Sequence, residues 1–566
     1  GLTWQGSVAG MPYTRVQALA ISPSFSADHT LWASVRSATS QFGFFYSSAL
    51  VRSTDGGLTW TSLASSSDDL NAIISLAVSP DYAQDHLLLA GKGSLSCLCG
   101  QGVFASTDGG MSWTAFNEGM NTRWPMPYAL TFSPSYRQDR AVFVGLNNGL
   151  WSRSIVKPDS VHTLILAPRQ RFRRFFSLEE AEKLFSSLTE LANTTGVDGI
   201  IVDLDGSGDS LRAVRDAYAA WDATPTTARA NAVVDAIQAL VRAQRARNPH
   251  LEYVVLVGGD RLIPFRRLAD PARYPESHYL NTLPPPTTGD ASVSIAVADN
   301  MTLTDDDYAR LTDDATPAGL DLAVGRLVET PAEIDAQLDA FLGASTSDMS
   351  GVSLLVGHSD EAPDAAVALA NAARDTLRLP ATVLDGPALT RATLGEQLSV
   401  IPHDLIVLLN QPDHTRLVTE DGALDASGIA NLSANSLRHS LVVSLGSHAG
   451  LNVPDGTAPN GNDIAQTLVG QGAALVAPTG YAWTMRDTGG LTPALIRTFL
   501  EALGQTLPGS LTTRALGDAL RSAKRQYWLN RPGFDAYDAK VVAQLTLYGL
   551  PMRHFELPTV KPPQPS

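Results

Sequence analysis

The sequence predicts a multidomain chain: an all-β repeat region first, then an α/β domain with a mostly parallel sheet. Three observations carry this. An apolar stretch containing Ser-Pro recurs three times within residues 1–156. From Val161 onward, short apolar runs alternate with amphipathic helical segments, the pattern of βαβ units. The run Leu441-Val442-Val443-Ser444-Leu445 stops in Gly446-Ser447-His448-Ala449-Gly450, which reads as a buried strand ending in a small-residue turn. In open α/β sheets ligands and nucleophiles sit at such strand ends.

Composition sets the bounds. A chain of 566 residues holds more than one core. With 44% hydrophobic and 17% charged residues it has an ordinary globular make-up. A net charge of −16 leaves no basic stripe for a phosphate backbone, so nucleic acid is not an expected partner. The densest basic cluster, Arg169 to Arg174, is interleaved with Phe172 and reads as a strand end and helix entry rather than a binding arm. No run of about 18 apolar residues exists, so no membrane span is expected. Cys97 and Cys99 form a Cys-x-Cys in a Gly/Ser-rich loop. A bridge across that spacing is strained, and two loop thiols are expected.

In the repeat region, Ala18-Leu19-Ala20-Ile21-Ser22-Pro23 recurs as Ser75-Leu76-Ala77-Val78-Ser79-Pro80 and as Ala129-Leu130-Thr131-Phe132-Ser133-Pro134. An aromatic follows each, then Asp28, Asp85 or Asp139 three residues on, then an apolar strand. Spacings of 57 and 54 residues between the Ser-Pro pairs suit one four-stranded blade per repeat. Two repeats also carry Ser53-Thr54-Asp55-Gly56-Gly57-Leu58-Thr59-Trp60 and Ser106-Thr107-Asp108-Gly109-Gly110-Met111-Ser112-Trp113. Gly-Gly supplies positive φ, Asp caps the turn amides and Trp packs beneath. This box is similar to the Asp-box hairpin of sialidase-type β-propellers. The resemblance implies propeller blades over residues 1–156, with the box a structural turn remote from any active site. The third repeat has lost the box at Asn148-Gly149-Leu150-Trp151. Gly1-Leu2-Thr3-Trp4 matches the tail of another, so either further blades are expected ahead of it, the favoured reading, or the three form an open arc resting on the neighbouring domain.

Residues 157–160 read as a linker, 161–555 as the α/β domain and 556–566 as a Pro-rich tail. The strands expected in the α/β domain are 162–167, 199–203, 253–257, 352–356, 405–409, 441–445 and 473–478. The helices expected between them are 178–194, 228–248, 331–342, 364–377 and 461–469. Gly206-Ser207-Gly208 and Gly258-Gly259 fit neither the dinucleotide fingerprint nor the P-loop.

Several segments together carry a second resemblance. They are Tyr253–Asp260 with Ile263-Pro264-Phe265, Leu303–Tyr308, Asp321–Ile334 with its Gly325-Arg326-Leu327, Leu441–Asn452, Thr479-Gly480-Tyr481 and Tyr548–Met552. In this order they resemble the gingipain-type, caspase-fold cysteine peptidases. The resemblance implies a cysteine–histidine dyad at neighbouring strand ends. A thiolate attacks the scissile carbonyl and an imidazole protonates the leaving amine. The cysteine position falls on Ser447 and the histidine position, in an Asn-x-His context, on Asn410-Gln411-Pro412. Both have departed from the family pattern, since Pro412 supplies no base. His414, two residues on, and His448, beside the nucleophile position, are the remaining candidates. Each also reads as a loop histidine with an ordinary hydrogen bond.

Asp305-Asp306-Asp307 is a calcium-friendly run, and calcium is common in the fold's extracellular members. Calcium needs roughly six to eight oxygens, which adjacent aspartates rarely supply. A solvated turn is the expected reading, and no cofactor is expected. The leading reading is a secreted or cell-surface peptidase-homology protein with a degenerate dyad, acting as a protein- or peptide-binding module. The second is an active endopeptidase whose native residue at 447 is cysteine, or which uses Ser447 with His414. A sialidase-like propeller enzyme is the third, with no arginine triad to support it.

Overall fold

The computed structural model describes the chain except residues 1–5, 7, 38–46, 67–71, 95–98, 118–119, 121–123, 135, 137–139, 155–160, 207–208, 271, 286–291, 344–345, 349–351, 357–362, 385, 410–412, 433–436, 455–461, 484–489, 507–509 and 559–566. It divides into two compact units, Gly1–Lys157 with Gly206–Asp209, and Pro158–Asp205 with Ser210–Ser566.

The first unit holds three antiparallel sheets in chain order. Arg15–Ile21, Leu31–Arg36, Ser48–Ser53 and Thr61–Ser66 make the first. Ile73–Val78, Leu88–Ser94, Cys99–Ser106 and Thr114–Ala115 make the second. Ala129–Phe132, Ala141–Leu146 and Gly149–Ser154 make the third. Successive sheets pack face to face. Ile73 and Leu76 meet Ala20, Trp32 and Leu50, while Phe132 and Val142 meet Ala77, Leu89 and Val103.

The repeated residues close local turns. Ser22 Oγ donates to Asp28 Oδ2 at 2.6 Å and Ser79 Oγ to Asp85 Oδ2 at 2.7 Å, so the Ser-Pro and the later Asp form one fastening. In the Gly-Gly turns Ser53 Oγ accepts from Gly57 N–H, Asp55 accepts from Thr59, and Trp60 Nε1 donates to Gly57 O at 3.1 Å. Ser106, Asp108 and Trp113 repeat each bond. Gly56, Gly57, Gly109 and Gly110 all have positive φ, as the turn requires. Cys99 is disulfide-bonded, which corrects the expectation of free loop thiols; Cys97 lies outside the described residues.

The second unit is built on one ten-stranded sheet. Its order is Gly199–Asp203, Thr163–Ala167, Tyr253–Val257, Ala323–Leu327, Leu545–Tyr548, Ala474–Pro478, Leu441–Ser444, His403–Leu408, Val352–Val356 and Ala381–Leu384. The first four strands pair in parallel, and so do the last five. Leu545–Tyr548 joins the two runs. It is antiparallel to Ala474–Pro478 and meets Ala323–Leu327 at one pair, Arg326 opposite Tyr548.

The apolar runs are continuous because both sheet faces are covered. Leu441, Val443 and Val476 pack with Leu495, Phe499 and Leu516 on one face. Val442 and Leu475 pack with Ile464, Leu468 and Leu394 on the other. Three strands of this sheet were absent from the sequence expectation. Ala323–Leu327 is interrupted by a buried arginine, Leu545–Tyr548 carries Thr546, and Ala381–Leu384 is a short, partly exposed edge.

The acidic run is not the expected solvated turn. Asp305 takes a two-point bond from Arg326 at 2.9 and 2.5 Å, Asp306 pairs with Lys524 at 2.6 Å, and Asp307 pairs with Arg266. Asp305 and Asp306 are buried. Each carboxylate already has its own cation from a distant part of the chain. The basic cluster is likewise absorbed: Arg169 and Arg173 pair with Glu182, and Arg171 and Arg174 with Asp222.

At the end of Gly199–Asp203, Asp203 accepts from Arg169 N–H, and Asp205 accepts from Gln170 and Arg171 N–H. The pair thus caps the helix Arg169–Phe175. Burial, with the neighbouring Asp205 carboxyl, pushes Asp203 up to about 7. Between the unfolded value near 3.8 and 7 the folded chain holds a proton that the unfolded chain has released. Stability from this group is therefore present at low pH and lost as pH rises through that window. Asp203→Asn keeps the acceptor but removes the titration. Urea unfolding should show the variant gaining about 1–3 kcal/mol on wild type between pH 4 and pH 8. A gain independent of pH would show that the carboxyl is ionised throughout.

Candidate functional site

The strand Leu441–Ser444 lies between two parallel neighbours, and the chain turns at its carboxyl end. Leu445 N–H still bonds Leu408 O, and then Gly446 N–H turns back to Ser444 Oγ at 3.2 Å. His448 N–H donates to Gly480 O and Gly450 N–H to Pro478 O, so the turn is laced to the end of the adjacent strand. A Cβ on Gly450 would sit 2.7 Å from Ala477 O, so no other residue allows this approach. Tyr548 Oη donates to Gly450 O from the next strand over.

Ser447 is half-buried on this turn, and its Oγ accepts the Ala482 N–H at 3.1 Å. His448 has φ of 62° and its ring turns inward, where it is fully buried. Nε2 lies 2.8 Å from Glu276 Oε2, and the ring stacks on Tyr279 with centroids 3.5 Å apart. Tyr481 meets it edge-on at 4.5 Å. Glu276 Oε1 accepts from Lys540 Nζ at 2.6 Å, and Lys540 also bonds Asp270 at 2.7 Å. Burial alone would raise the Glu276 carboxyl, but His448 and the Lys540 ammonium outweigh it and hold it at about 2. Burial draws the His448 imidazole below its ordinary value. Its Nδ1 has no hydrogen-bond partner among the described residues, as suits a neutral ring donating Nε2–H. Lys540 carries the compensating charge.

His414 is also buried. Tyr279 Oη accepts the His414 backbone N–H at 3.1 Å and lies 2.6 Å from Nδ1, within hydrogen-bond distance. Burial brings this imidazole down to about 4, so it too is neutral near pH 7. Its Nε2 has no partner among the described residues. Tyr279 therefore links the two histidines, stacking on one and hydrogen-bonding the other. Asn410, Gln411 and Pro412 lie outside the described residues.

On the far side, Asn452 is fully buried and donates Nδ2 to Glu329 at 3.1 Å and to Asp463 at 3.0 Å. Asp463 caps the helix Ile464–Gly470. Gly258 and Gly259 pack closely on Leu262 and Asn452. Among the described residues no group of His, Cys, Asp or Glu is placed to hold a metal. No described helix is long and apolar enough to cross a membrane.

The structure thus brings His448 and His414 onto one tyrosine, while Ser447 bonds a backbone amide instead. Glu276 and Tyr279, which organise the cluster, were not found from sequence. They lie on the short helix Glu276–Thr282 in a stretch without periodicity, and their only signal is a spacing of one helical turn. Chemically, His448 Nε2 is taken by Glu276 and His414 Nδ1 by Tyr279, while His448 Nδ1 and His414 Nε2 have no partner among the described residues. The Ser447 Oγ hydrogen bond goes to the Ala482 N–H and not to either ring.

No protein-family model and no curated protein matches the chain. Among solved structures it is similar to one described as a protease, at 10% identity over 71% of this chain and 80% of that one, with a TM-score of 0.44. It is also similar to a chain of the Saccharomyces cerevisiae separase–securin complex, at 10% identity and a TM-score of 0.27. That match covers 47% of this chain and 17% of the other. Sqt1 from Chaetomium thermophilum is similar at 13% identity over 26% of this chain and 35% of its own, with a TM-score of 0.17. At these scores the functional reading rests on the geometry of the turn.

Proposed function

We propose that residues 161–555 are a gingipain- or caspase-like peptidase-homology domain that has lost turnover. Asp-box propeller repeats over residues 1–156 precede it. The chain acts, secreted or at the cell surface, as a module that binds protein or peptide. The supporting observation is that Ser447 Oγ bonds the Ala482 amide and neither imidazole, while Glu276 holds His448 Nε2 and Tyr279 holds His414 Nδ1. A serine hydroxyl needs a base in hydrogen-bond reach to become a nucleophile.

The expected result is no cleavage of a mixed peptide library and no fluorophosphonate labelling at Ser447. Ser447→Cys alone should react with thiol-directed peptidyl probes no faster than an unassisted thiol, because no cationic neighbour lowers its pKa. Anisotropy of labelled unstructured peptides should show binding without cleavage, and its absence at every concentration removes the binding role.

The second reading, an active endopeptidase with Ser447 or a native cysteine at 447 working with His414, is favoured by the unpartnered His414 Nε2. Probe labelling that disappears in His414→Ala would establish it and overturn the first.

A further inference from the structure

The second sheet of the first unit departs from its repeat at one core position. Val35, Lys92 and Leu146 are 57 and 54 residues apart, the spacing of the Ser-Pro pairs. They also share a register, facing Ala49, Gly102 and Gly149 on the next strand of each sheet. Val35 and Leu146 are 0% and 8% exposed, so the position belongs to an apolar core. Lys92 fills it half-buried. By strand alternation it lies on the face of Leu88 and Ala90, which pack on Trp32 and Leu50 of the first sheet.

The surroundings of the amine are aromatic. Lys92 Nζ is 4.3 Å from the centre of the Phe104 ring and 5.8 Å from that of Trp113. Among the described residues no carboxylate pairs with it, whereas the other three described lysines each have one. Lys183 pairs with Asp335, Lys524 with Asp306, and Lys540 with Asp270 and Glu276. Burial draws the Lys92 amine below its ordinary value, while the hydrogen bond to Asp335 raises that of Lys183. Ring faces attract an ammonium but supply no counter-charge.

We propose that Lys92 is a modification site for small aldehydes, which it takes up as an imine. The unprotonated Nζ attacks the carbonyl carbon, and the C=O electron pair moves to oxygen. The two amine hydrogens leave with that oxygen as water, and the C=N bond forms. A neutral imine has no charge to desolvate, so the burial that disfavours the ammonium favours the product. An apolar aldehyde substituent finds the Phe104 and Trp113 faces beside it. Both rings are half-buried, as Lys92 is, so a small reagent reaches the amine from solvent.

The test treats the full chain with limiting benzaldehyde and cyanoborohydride near pH 7, which reduces the imine to a stable secondary amine. Peptide mass spectrometry then reads each lysine. Lys92 is expected to be labelled at least about tenfold faster than Lys183. Lys92→Met should remove that label alone, and Val35 and Leu146 show that an apolar side chain fits the position. Phe104→Glu brings a carboxylate to the amine and should slow the Lys92 rate by about tenfold. Circular dichroism checks its folding, beside the milder Phe104→Val, which copies Val51 at the equivalent position. Labelling of Lys92 no faster than that of Lys183 overturns the proposal. So does a Lys92 rate unchanged in folded Phe104→Glu.

Discussion

Arg326→Met is expected to destabilise the second unit by about 3–5 kcal/mol. The guanidinium has no exposed surface, and it makes a two-point bond to Asp305 and donates to Gly258 O and Ile263 O at 2.8 Å each. Phe265 covers its face at 4.0 Å. Burial alone would favour losing its proton, but the Asp305 carboxylate outweighs this and pushes its pKa above the ordinary range. Removing it leaves a buried carboxylate and two carbonyls without donors, so the cost is the stranded groups rather than the lost bond. Asp305→Leu in the same chain should recover part of the loss, since the pair then goes together. Guanidinium unfolding of wild type, single and double variants measures this. A double variant less stable than the sum of the singles would show that the ion pair is not what holds the strand end.

Lys540→Met should produce a loss of similar size, about 3–5 kcal/mol near pH 7, and one that shrinks on acidification. Lys540 Nζ lies between Asp270 and Glu276, and all three side chains are buried. In the wild type Glu276 is depressed to about 2. It therefore contributes stability above its unfolded value near 4.5, and that stability is lost as pH falls towards 2. Without the ammonium, Glu276 loses its cationic partner and ionises only at a higher pH. The variant then gains from protonation below about 4.5, where wild type does not. Unfolding at pH 7 and pH 4 compares the two cases. An equal deficit at both would mean that Lys540 acts through packing alone. Because Glu276 also holds His448, the variant should show a perturbed imidazole resonance for that residue.

Much of this was legible in the sequence, for reasons that are physical. The turn after Leu441–Ser444 was visible because Gly446 and Gly450 flank the one polar pair in an apolar run, and Gly450 proves to be required by Ala477 O. The Ser-Pro repeats were visible as pattern, though not that Ser22 and Ser79 exist to fasten Asp28 and Asp85. The acidic run was misread because its cations, Arg326, Lys524 and Arg266, come from three other segments. Local composition does not register a long-range counter-ion. Glu276 and Tyr279 were missed for the same reason. Their meaning lies in His448 and His414, far along the chain, and their own segment carries no period.

The position of Leu545–Tyr548 bears on how the chain is made. This strand sits inside the sheet, yet it is the last of the ten to be synthesised. While the ribosome is still working, Ala323–Leu327 and Ala474–Pro478 each present an unpaired apolar edge, the kind that joins wrongly to other chains. The pair that joins the halves, Arg326 with Tyr548, is also far apart in sequence, which makes this closure slow. The two half-sheets therefore cannot be joined into one until Leu545–Tyr548 has been made.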